Sequence, residues 1–252
     1  MNSISPCSNN NNILSFEVNK SMKDTSLAFI DLFAGIGGFH FALDALGLNC
    51  VFASEIDLNA RKTYYHNFKN SSPEIFNKHF NTNIKDQDYT KIPHFDILCG
   101  GFPCQPFSIA GYRKGFNDKN RGDLIFNIFD VIKIKKPRVV FLENVKNLFN
   151  HDKGNTYLYI KNEIKKLGYY VTEKIMNTME YGNLPQNRER LYIIGFKNKK
   201  EYNAFEFPKT QQLTTSLSSL LESKVDSKYY YKTSKLLSIL EESITKKNTV
   251  YQ

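Results

Sequence analysis

The chain has 252 residues, 41% hydrophobic and 23% charged, which is the composition of a globular protein long enough to bury a full core. No apolar run reaches the roughly 20 residues that span a bilayer, and the first residues do not follow the charged-then-apolar pattern of a secretory signal, so we expect a cytoplasmic protein. The net charge of +9 favours a polyanionic partner.

The predicted elements begin after a leader. Residues 1–25 contain the run Asn9 to Asn12 and few apolar side chains, so they cannot offset the entropy cost of ordering and are predicted to be disordered. From Leu27 onward, strand-like apolar runs alternate with helical patterns, which is typical of a parallel sheet flanked by helices. The predicted strands are 27–33, 50–53, 95–99, 139–142, 169–175 and 191–196, and the predicted helices are 38–46, 57–68, 123–136, 155–167 and 234–244.

Two connecting segments are less regular. Residues 70–92 predict a short third strand at most. The segment that follows the strand 95–99 is rich in Gly, Pro and Ser as far as Gly122. Because a loop of about 20 residues without structure of its own is usually functional, we expect this segment to take part in the activity.

A glycine-rich turn follows the first predicted strand. It reads Asp31-Leu-Phe-Ala-Gly-Ile-Gly-Gly-Phe39 and opens a helix, so its backbone amides can approach a bound ligand closely. The glycine spacing differs from the Gly-x-Gly-x-x-Gly pattern, which favours another adenosine ligand over NAD. Glu55, at the end of the second strand, can accept hydrogen bonds from ribose hydroxyls. The alternative is a tight turn with a capping acid.

Cys104 lies in the segment Gly100-Gly-Phe-Pro-Cys-Gln-Pro-Phe-Ser108, at the carboxyl end of a strand, where open α/β sheets place their chemistry. A thiolate is a strong nucleophile that needs only modest activation, so we predict that Cys104 is a nucleophile. The alternative, a buried structural cysteine, fits Cys50 and Cys99, which lie in strands. The four cysteines lack the spacing and the histidine partners of a zinc site, and no metal is expected.

Two more charged segments follow. Phe141-Leu-Glu-Asn-Val145 places Glu143 at the end of another buried strand, on the same edge of the sheet as Cys104. The acid could simply cap the next helix, but Asn144 could also do that, which would leave Glu143 free for chemistry. Gln186-Asn-Arg-Glu-Arg190 presents two arginines on one face. Alone, this last segment would be interpreted as a solvated charge cluster.

Taken in this order, the four segments resemble the motifs of the bacterial DNA cytosine-5 methyltransferase family, with a match from about Leu27 to Phe196. The resemblance implies an α/β fold with a doubly wound, mostly parallel, Rossmann-like sheet and S-adenosyl-L-methionine as cofactor. It also implies that Cys104 adds to carbon 6 of cytosine, that Glu143 shares a proton with ring nitrogen 3, and that the target base is flipped out of double-stranded DNA.

The resemblance assigns further residues to each role. Arg190 would contact the cytosine carbonyl oxygen, and Arg188 would hold the active-site loop and its phosphate. Cofactor contacts fall on Phe33, Ala34, Gly35, Ile36, Gly37, Gly38, Glu55, Ile56, Asn83, Ile84, Gly101, Pro103 and Leu124. Asn83 stands where the family usually has Asp, but its side-chain oxygen can still accept from the adenine amino group. Nucleic-acid contacts fall on Gln105, Ser108, Arg113, Lys114, Lys119, Arg121 and Gln186.

The predicted domains are the leader 1–25, a catalytic and cofactor-binding domain 26–200, and a C-terminal segment 201–252. This segment is too short for the family's target recognition domain and does not resemble its final helix. We therefore expect the catalytic, N-terminal subunit of a split enzyme from a restriction-modification system, with the segment 201–252 contacting a second polypeptide. A truncated, inactive product is the alternative explanation.

Two other functions fit parts of the pattern. A silent module could use the fold to bind S-adenosylmethionine or RNA, although such a module has no need of Cys104, Glu143 and Arg190 together. One branch of the family acts on tRNA and also carries Pro-Cys-Gln, so an RNA cytosine methyltransferase remains an alternative.

Overall fold

The structure, a computed structural model, describes residues 27–103 and 124–230 together with Ser238, Ile239 and Glu242. The leader 1–25, the segment from Cys104 to Asp123 and nearly all of the predicted helix 234–244 lie outside the described residues. The predictions made for those three segments therefore stay predictions.

Seven strands form one sheet. They are β1 (Ala28–Leu32), β2 (Asn49–Ser54), β3 (Phe80–Asn81), β4 (Ile97–Gly101), β5 (Val139–Val145), β6 (Tyr170–Asn177) and β7 (Glu189–Phe196). The spatial order is β3-β2-β1-β4-β5-β7-β6. The pairs β1–β2, β2–β3, β1–β4 and β4–β5 are parallel, whereas β7 is antiparallel to β5. The predicted mostly parallel sheet is confirmed.

The strand order creates a crevice beside β1. The chain builds β2 and β3 on one side of β1 and then crosses to β4 on the other side. At such a reversal, open α/β sheets bind their ligands outside the carboxyl ends of the two central strands. The glycine-rich turn leaves the sheet there from β1, and the residues that lead to Cys104 leave it from β4.

Helices connect most of the strands. They are α1 (Gly38–Asp44), α2 (Leu58–Phe68), α3 (Leu124–Lys135), α4 (Asn147–Asn150), α5 (Asn155–Lys166), α6 (Thr178–Gly182) and α7 (Lys199–Ala204). A π-helix lies at Ile75–His79, and 3-10 helices lie at Ile84–Asp86, Tyr89–Lys91, His151–Gly154, Leu217–Leu220 and Ser227–Tyr229. Asp57 caps α2 as predicted, because its side chain accepts from the Ala60 amide at 2.7 Å.

Each predicted strand has at least one boundary that differs from the observed one by one to three residues, and β4 and β5 show the clearest shifts. β5 runs to Val145 instead of ending at residue 142, because its ladder with β7 continues to the pair Val145–Arg190. β4 begins at Ile97 and extends to Gly101, because Gly101 still pairs with Glu143 of β5. Both extensions come from pairing between segments far apart in the chain, which local patterns do not show.

The core lies on both faces of the sheet. Alternate residues of β1 point to opposite faces, so Phe29 belongs to a cluster with Tyr64 and Phe68 of α2, while Ile30 belongs to the cluster that packs α3 and α5. Cys50 and Cys99 are buried free thiols in the first of these clusters, as the structural interpretation predicted. Burial raises the pKa of Cys50 to about 12, so this thiol stays protonated.

The chain divides into two compact units. The first comprises Met1–Ile175 and Arg190–Phe207, and the second comprises Met176–Glu189 and Pro208–Gln252. Within the second unit, the Asn183 side chain accepts from the amides of Thr214 and Thr215, which ties α6 to the following segment. Among the described helices, none is long and apolar enough to cross a membrane.

Candidate active site

The glycine-rich turn after β1 is held in a left-handed conformation. Phe33, Gly35 and Gly37 have φ values of 57°, 56° and 98°. Only glycine adopts such angles without steric cost, so the two glycines permit the turn and Phe33 is strained in it. An alanine at Gly37 would also place its Cβ within 2.7 Å of Cζ of Phe68. The backbone conformation of the turn therefore requires glycine at positions 35 and 37, whether or not a ligand binds.

Glu55 contacts this turn, which is the contact that the alternative interpretation, a tight turn with a capping acid, describes. Its Oε2 accepts from the Gly35 amide at 2.8 Å, and its Oε1 accepts from the Asp57 amide at 2.8 Å. The carboxylate thereby joins the end of β2 to the end of β1. Contact with ribose hydroxyls stays a prediction, which a carboxylate with further lone pairs is able to meet.

Two exposed isoleucines flank Glu55. Ile36 is 58% exposed and Ile56 is 67% exposed, which is unusual for side chains next to a buried sheet. An apolar surface beside a carboxylate suits a ligand with a flat aromatic base and a hydroxylated sugar. These residues therefore fit the adenosine part of the predicted cofactor.

The other predicted cofactor residues differ in exposure. Asn83 begins a 3-10 helix, where its oxygen accepts from the Lys85 amide and its nitrogen donates to Asp86. Ile84 is buried in the core, so only its backbone is available to a ligand. Leu124 is half-buried against the core, and Pro103 is exposed.

Beneath the turn lies a buried polar cluster that the sequence did not predict. His40 stacks on Phe68 with 3.7 Å between ring centroids, and its ring nitrogens bond to the hydroxyls of Tyr64 and Ser72. Burial lowers the pKa of His40 to about 4, an effect that Asp44 opposes. The imidazole is therefore neutral at physiological pH and anchors α1 to α2.

Asp31 lies on β1 next to this cluster, and its carboxyl group is fully buried. Neither oxygen makes a hydrogen bond of standard geometry among the described residues, and the backbone amide of His40 is at most a weak donor to the carboxyl group. Burial raises the pKa of Asp31 well above its usual value. The backbone amide of His40 lowers this pKa, and the negative charge of the Glu55 carboxylate raises it further. The folded protein therefore keeps Asp31 protonated over a pH range in which the unfolded chain ionises it.

We expect Asp31→Asn to stabilise the protein increasingly as the pH rises. Below a pH of about 4, both states of the wild type hold the proton, and the variant gains nothing from this effect. Above that pH, only the unfolded wild type loses the proton, so its free energy of unfolding falls relative to that of the variant by up to about 1.4 kcal/mol per pH unit, until the folded pKa is passed. Urea unfolding of both proteins at pH 4 and pH 8 measures the difference, and an equal difference at both pH values would contradict the assignment.

Glu143 and Arg190 form the charged part of the site. Nε of Arg190 donates to Oε1 of Glu143 at 2.8 Å, and the side chains are 20% and 25% exposed respectively. The sequence placed Glu143 at the end of its strand. In the structure β5 continues to Val145, so Glu143 lies within the strand, as the last residue that pairs with β4, opposite Gly101. Glu143 therefore lies opposite Gly101, which precedes Cys104 by three residues in the sequence, and the prediction that the acid and Cys104 share this end of the sheet stays a prediction.

Gly101 leaves room for this acid. A Cβ added at Gly101 would lie 3.2 Å from Oε2 of Glu143, so the carboxylate would have to shift by a few tenths of an ångström. For the role that the resemblance assigns to Glu143, we expect Gly101→Ala to slow the predicted methyl transfer about tenfold, because small displacements of a proton-transfer group are costly. Gly100→Ala is the control, since its Cβ meets ordinary contacts at 3.5 Å or more. Single-turnover rates test this, and equal rates for the two variants would refute it.

Asn144 does not cap a helix, which corrects one alternative drawn from the sequence. The N-cap of α4 is Lys146, without a side-chain hydrogen bond. The Asn144 side chain instead donates to the carbonyl oxygen of Phe102 at 2.8 Å.

The remaining predicted residues divide into two groups. Arg188 and Gln186 are exposed in the second unit, where the Arg188 amide donates to the Asn177 side chain and its carbonyl accepts from the Thr178 amide. Seven predicted residues lie outside the described ones, namely Cys104, Gln105, Ser108, Arg113, Lys114, Lys119 and Arg121.

A cleft of about 630 Å³ lies elsewhere in the first unit. It is lined by residues that flank the amino ends of β4 and β5, such as Asp96 and Arg138, and contains none of the predicted site residues. The cleft therefore lies at the end of the sheet opposite to the predicted site. In the described parts of the chain, no group of three His, Cys, Asp or Glu side chains could hold a metal ion.

Known proteins resemble this chain along most of its length. The model of the C-5 cytosine-specific DNA methylase family matches residues 27–251. The Type II methyltransferase M.Bsp6I of Bacillus sp. (strain RFL6) is 43% identical over 231 residues, which are 90% of this chain and 71% of that protein. The Type II methyltransferase M.HhaI of Haemophilus parahaemolyticus is 46% identical over 202 residues, which are 80% of this chain and only 59% of that protein.

Solved structures share the fold. A mutant DNMT2 of Spodoptera frugiperda gives a TM-score of 0.61 at 24% identity, covering 81% of this chain and 62% of that protein. The Dnmt2 methyltransferase of S. pombe gives a TM-score of 0.59 at 19% identity, covering 84% and 64%. The motifs, the family match and the relatives above 40% identity agree: the chain belongs to the C-5 cytosine-specific DNA methylase family.

Proposed function

We propose that this chain is the catalytic part of a DNA (cytosine-5)-methyltransferase that transfers a methyl group to carbon 5 of a flipped cytosine through a covalent adduct on Cys104. The observation that carries the proposal is the ion pair of Glu143 and Arg190, at 2.8 Å, beside Gly101 at the carboxyl end of β4. A half-buried carboxylate held by a guanidinium is oriented to bind one edge of a flat polar ring. The proposed nucleophile, Cys104, follows Gly101 by three residues in the sequence.

The residues around the turn suit S-adenosyl-L-methionine. Glu55 would accept from the ribose hydroxyls, Ile36 and Ile56 would cover the adenine ring, and Asn83 would accept from its amino group. When bound, S-adenosylmethionine supplies an electrophilic methyl group on a sulfonium sulfur. The turn residues Phe33 to Gly38 would bring that group to the crevice between β1 and β4.

The protein groups carry the remaining steps. The Cys104 thiolate would add to carbon 6 of cytosine and break the double bond between carbons 5 and 6, while Glu143 shares a proton with nitrogen 3, which neutralises the charge that develops on the ring. Carbon 5 would become electron-rich and take the methyl group from a bound S-adenosylmethionine, whose sulfur would leave as a neutral thioether. Loss of the carbon-5 proton to water would then restore the double bond and expel Cys104 as a thiolate, nitrogen 3 would return its shared proton to Glu143, and Arg190 would hold the carbonyl oxygen throughout.

The substrate has to leave the duplex for these contacts to form, so the target base is flipped. Arg188 and the basic residues of the segment 104–123 would bind phosphates around it. The closure of that segment over the flipped base would exclude water from the adduct.

We further propose that target recognition depends on a second polypeptide and that the enzyme serves a restriction-modification system. Large apolar side chains of the second unit are exposed, which is unusual unless a partner covers them; they are Leu217, Leu220, Leu221, Tyr229 and Tyr230. The relatives named Type II methyltransferases support the second part of this proposal.

A DNA duplex that carries 5-fluorocytosine tests the mechanism, because fluorine at carbon 5 cannot leave as the proton does and the adduct is trapped. In the presence of S-adenosylmethionine, we expect a denaturant-stable complex for the wild type and none for Cys104→Ser. A complex that persists in Cys104→Ser would refute the proposed nucleophile. An RNA of matched sequence, trapped in place of the DNA, would favour an RNA substrate.

The same assay tests the dependence on a second chain. The 252-residue chain is tested alone and together with a polypeptide that supplies a target recognition domain. Trapping only after this addition supports the proposal, whereas rapid methylation of unmodified duplex DNA by the chain alone would overturn it.

A further inference from the structure

A buried amide joins two neighbouring strands at the point where β4 ends. Nδ2 of Asn144 donates to the carbonyl oxygen of Phe102 at 2.8 Å, and its Oδ1 accepts from the Val145 amide at 2.8 Å. Asn144 is 2% exposed and Phe102 is 4% exposed. Both ends of the amide are therefore used in a place that water does not reach.

This contact continues the link between β4 and β5 past the end of their ladder. The last backbone pair is Gly101 with Glu143, so Phe102 has no partner residue in the ladder. Its buried carbonyl would be costly to leave unpaired, and Asn144 satisfies it. The Phe102 ring packs in the core cluster, so the residue is held by its side chain and by its backbone.

The position of Phe102 determines where the chain goes next. Pro103 restricts the following φ angle to a narrow range. The Cα atom of Cys104 is only two residues further on, within about 7 Å of that of Phe102. The position of the Phe102 carbonyl therefore sets the point from which the chain runs to Cys104.

We infer that Asn144 is a positioning residue for the reaction, holding the chain that leads to Cys104 in register with the acid Glu143. Glu143 and Asn144 are neighbours on β5, so their side chains point to opposite faces of the strand. Glu143 on one face is the proposed acid, and Asn144 on the other face holds the residue that leads to Cys104. The inference rests on the proposed function, since it assigns a role in bringing Cys104 and Glu143 together.

Asn144→Asp isolates this role. The carboxylate has the shape of the amide and keeps the acceptor for the Val145 amide, but it cannot donate to Phe102. We expect trapping on 5-fluorocytosine DNA and kcat to fall about 10- to 100-fold, with KM for S-adenosylmethionine and the Kd for DNA unchanged within about twofold. Asn144→Ala, which removes the donor without adding charge, should show the same split between kcat and KM.

Asn127→Asp is the matched control. Nδ2 of Asn127 also donates to a partly buried oxygen, the Tyr89 hydroxyl, at 2.7 Å. Neither residue is close in the sequence to the end of β4. Its trapping rate should equal that of the wild type. The experiment uses the form of the protein, alone or supplemented, that gives wild-type trapping.

The possible outcomes distinguish a failure of the positioning role from a failure of the proposed function. If the wild type forms no adduct, the proposed function fails. If the wild type reacts and both Asn144 variants fold, as judged by their urea midpoints, and react at the wild-type rate, the positioning role fails. Parallel loss of kcat, binding and folded protein would show that Asn144 is merely structural, which also overturns the inference.

Discussion

Glu143→Gln should reduce the rate of methyl transfer by about 10²- to 10⁴-fold, the usual contribution of a positioned proton-transfer group. Glutamine has the same shape and can still accept a hydrogen bond from Arg190, but it cannot deliver a proton to nitrogen 3 of cytosine. Without that proton, negative charge would build up on the ring as Cys104 adds. The incorporation of tritiated methyl groups into DNA measures the loss.

Glu173→Gln is a control matched in environment. Glu173 pairs with Lys161 at 2.7 Å, and both side chains are 21% exposed, close to the values of Glu143 and Arg190. Both variants should lose at most about 1 kcal/mol of unfolding free energy, since partly exposed ion pairs contribute little. Only Glu143→Gln should lose activity. Equal activity of the two variants would mean that Glu143 is not the proton donor.

Gly37→Ala should lower the free energy of unfolding by about 2–5 kcal/mol. The left-handed φ of 98° costs an L-residue about 1–2 kcal/mol. In addition, the new Cβ would overlap Cε2 of Phe68, and inserting a methyl group into a packed core costs about 1–3 kcal/mol. The Phe68 ring cannot move aside easily, because it is buried and stacks on His40. Urea unfolding at constant pH measures the change.

Alanine substitutions at two neighbouring glycines separate the cost of the φ angle from the cost of the contact with Phe68. Gly35→Ala has the unfavourable φ of 56° but no atom within 4 Å of the new Cβ, so it should lose only about 1–2 kcal/mol. Gly38→Ala has neither problem and begins α1, so it should be neutral or stabilise by up to about 1 kcal/mol. If Gly37→Ala were no worse than Gly35→Ala, the contact with Phe68 would not matter.

Elements with local signals were predicted closely. The start of α2 after Asp57 could be predicted because the capping residue and the helical spacing of apolar residues both appear in one continuous stretch of sequence. The glycine turn and Glu55 were brought together correctly, because a strand-turn-helix unit fixes where the next strand ends. The arrangement of β5 was harder, since its length depends on pairing with β7, which lies far along the chain.

The same limit applies to individual side chains of the site. Asn144 was interpreted as a possible helix cap because Asn near a helix start usually is one, and the sequence does not show that the Phe102 carbonyl lies within reach. Nor does it show that Asp31 is buried without a hydrogen bond of standard geometry among the described residues. Both facts depend on how strands pack. The hydrogen bond from Arg190 to Glu143 was not predicted either, since the resemblance assigned the two side chains to different atoms of cytosine.

The position of β7 also has a consequence during synthesis. It is the last described strand along the chain, yet it lies between β5 and β6 and covers one edge of β5. While a nascent chain lacks residues 189–196, the backbone groups of Val139–Val145 on that edge would have no strand to pair with, and such an edge can recruit another chain. Translation that stops before Arg190 would therefore yield aggregates rather than a slower enzyme.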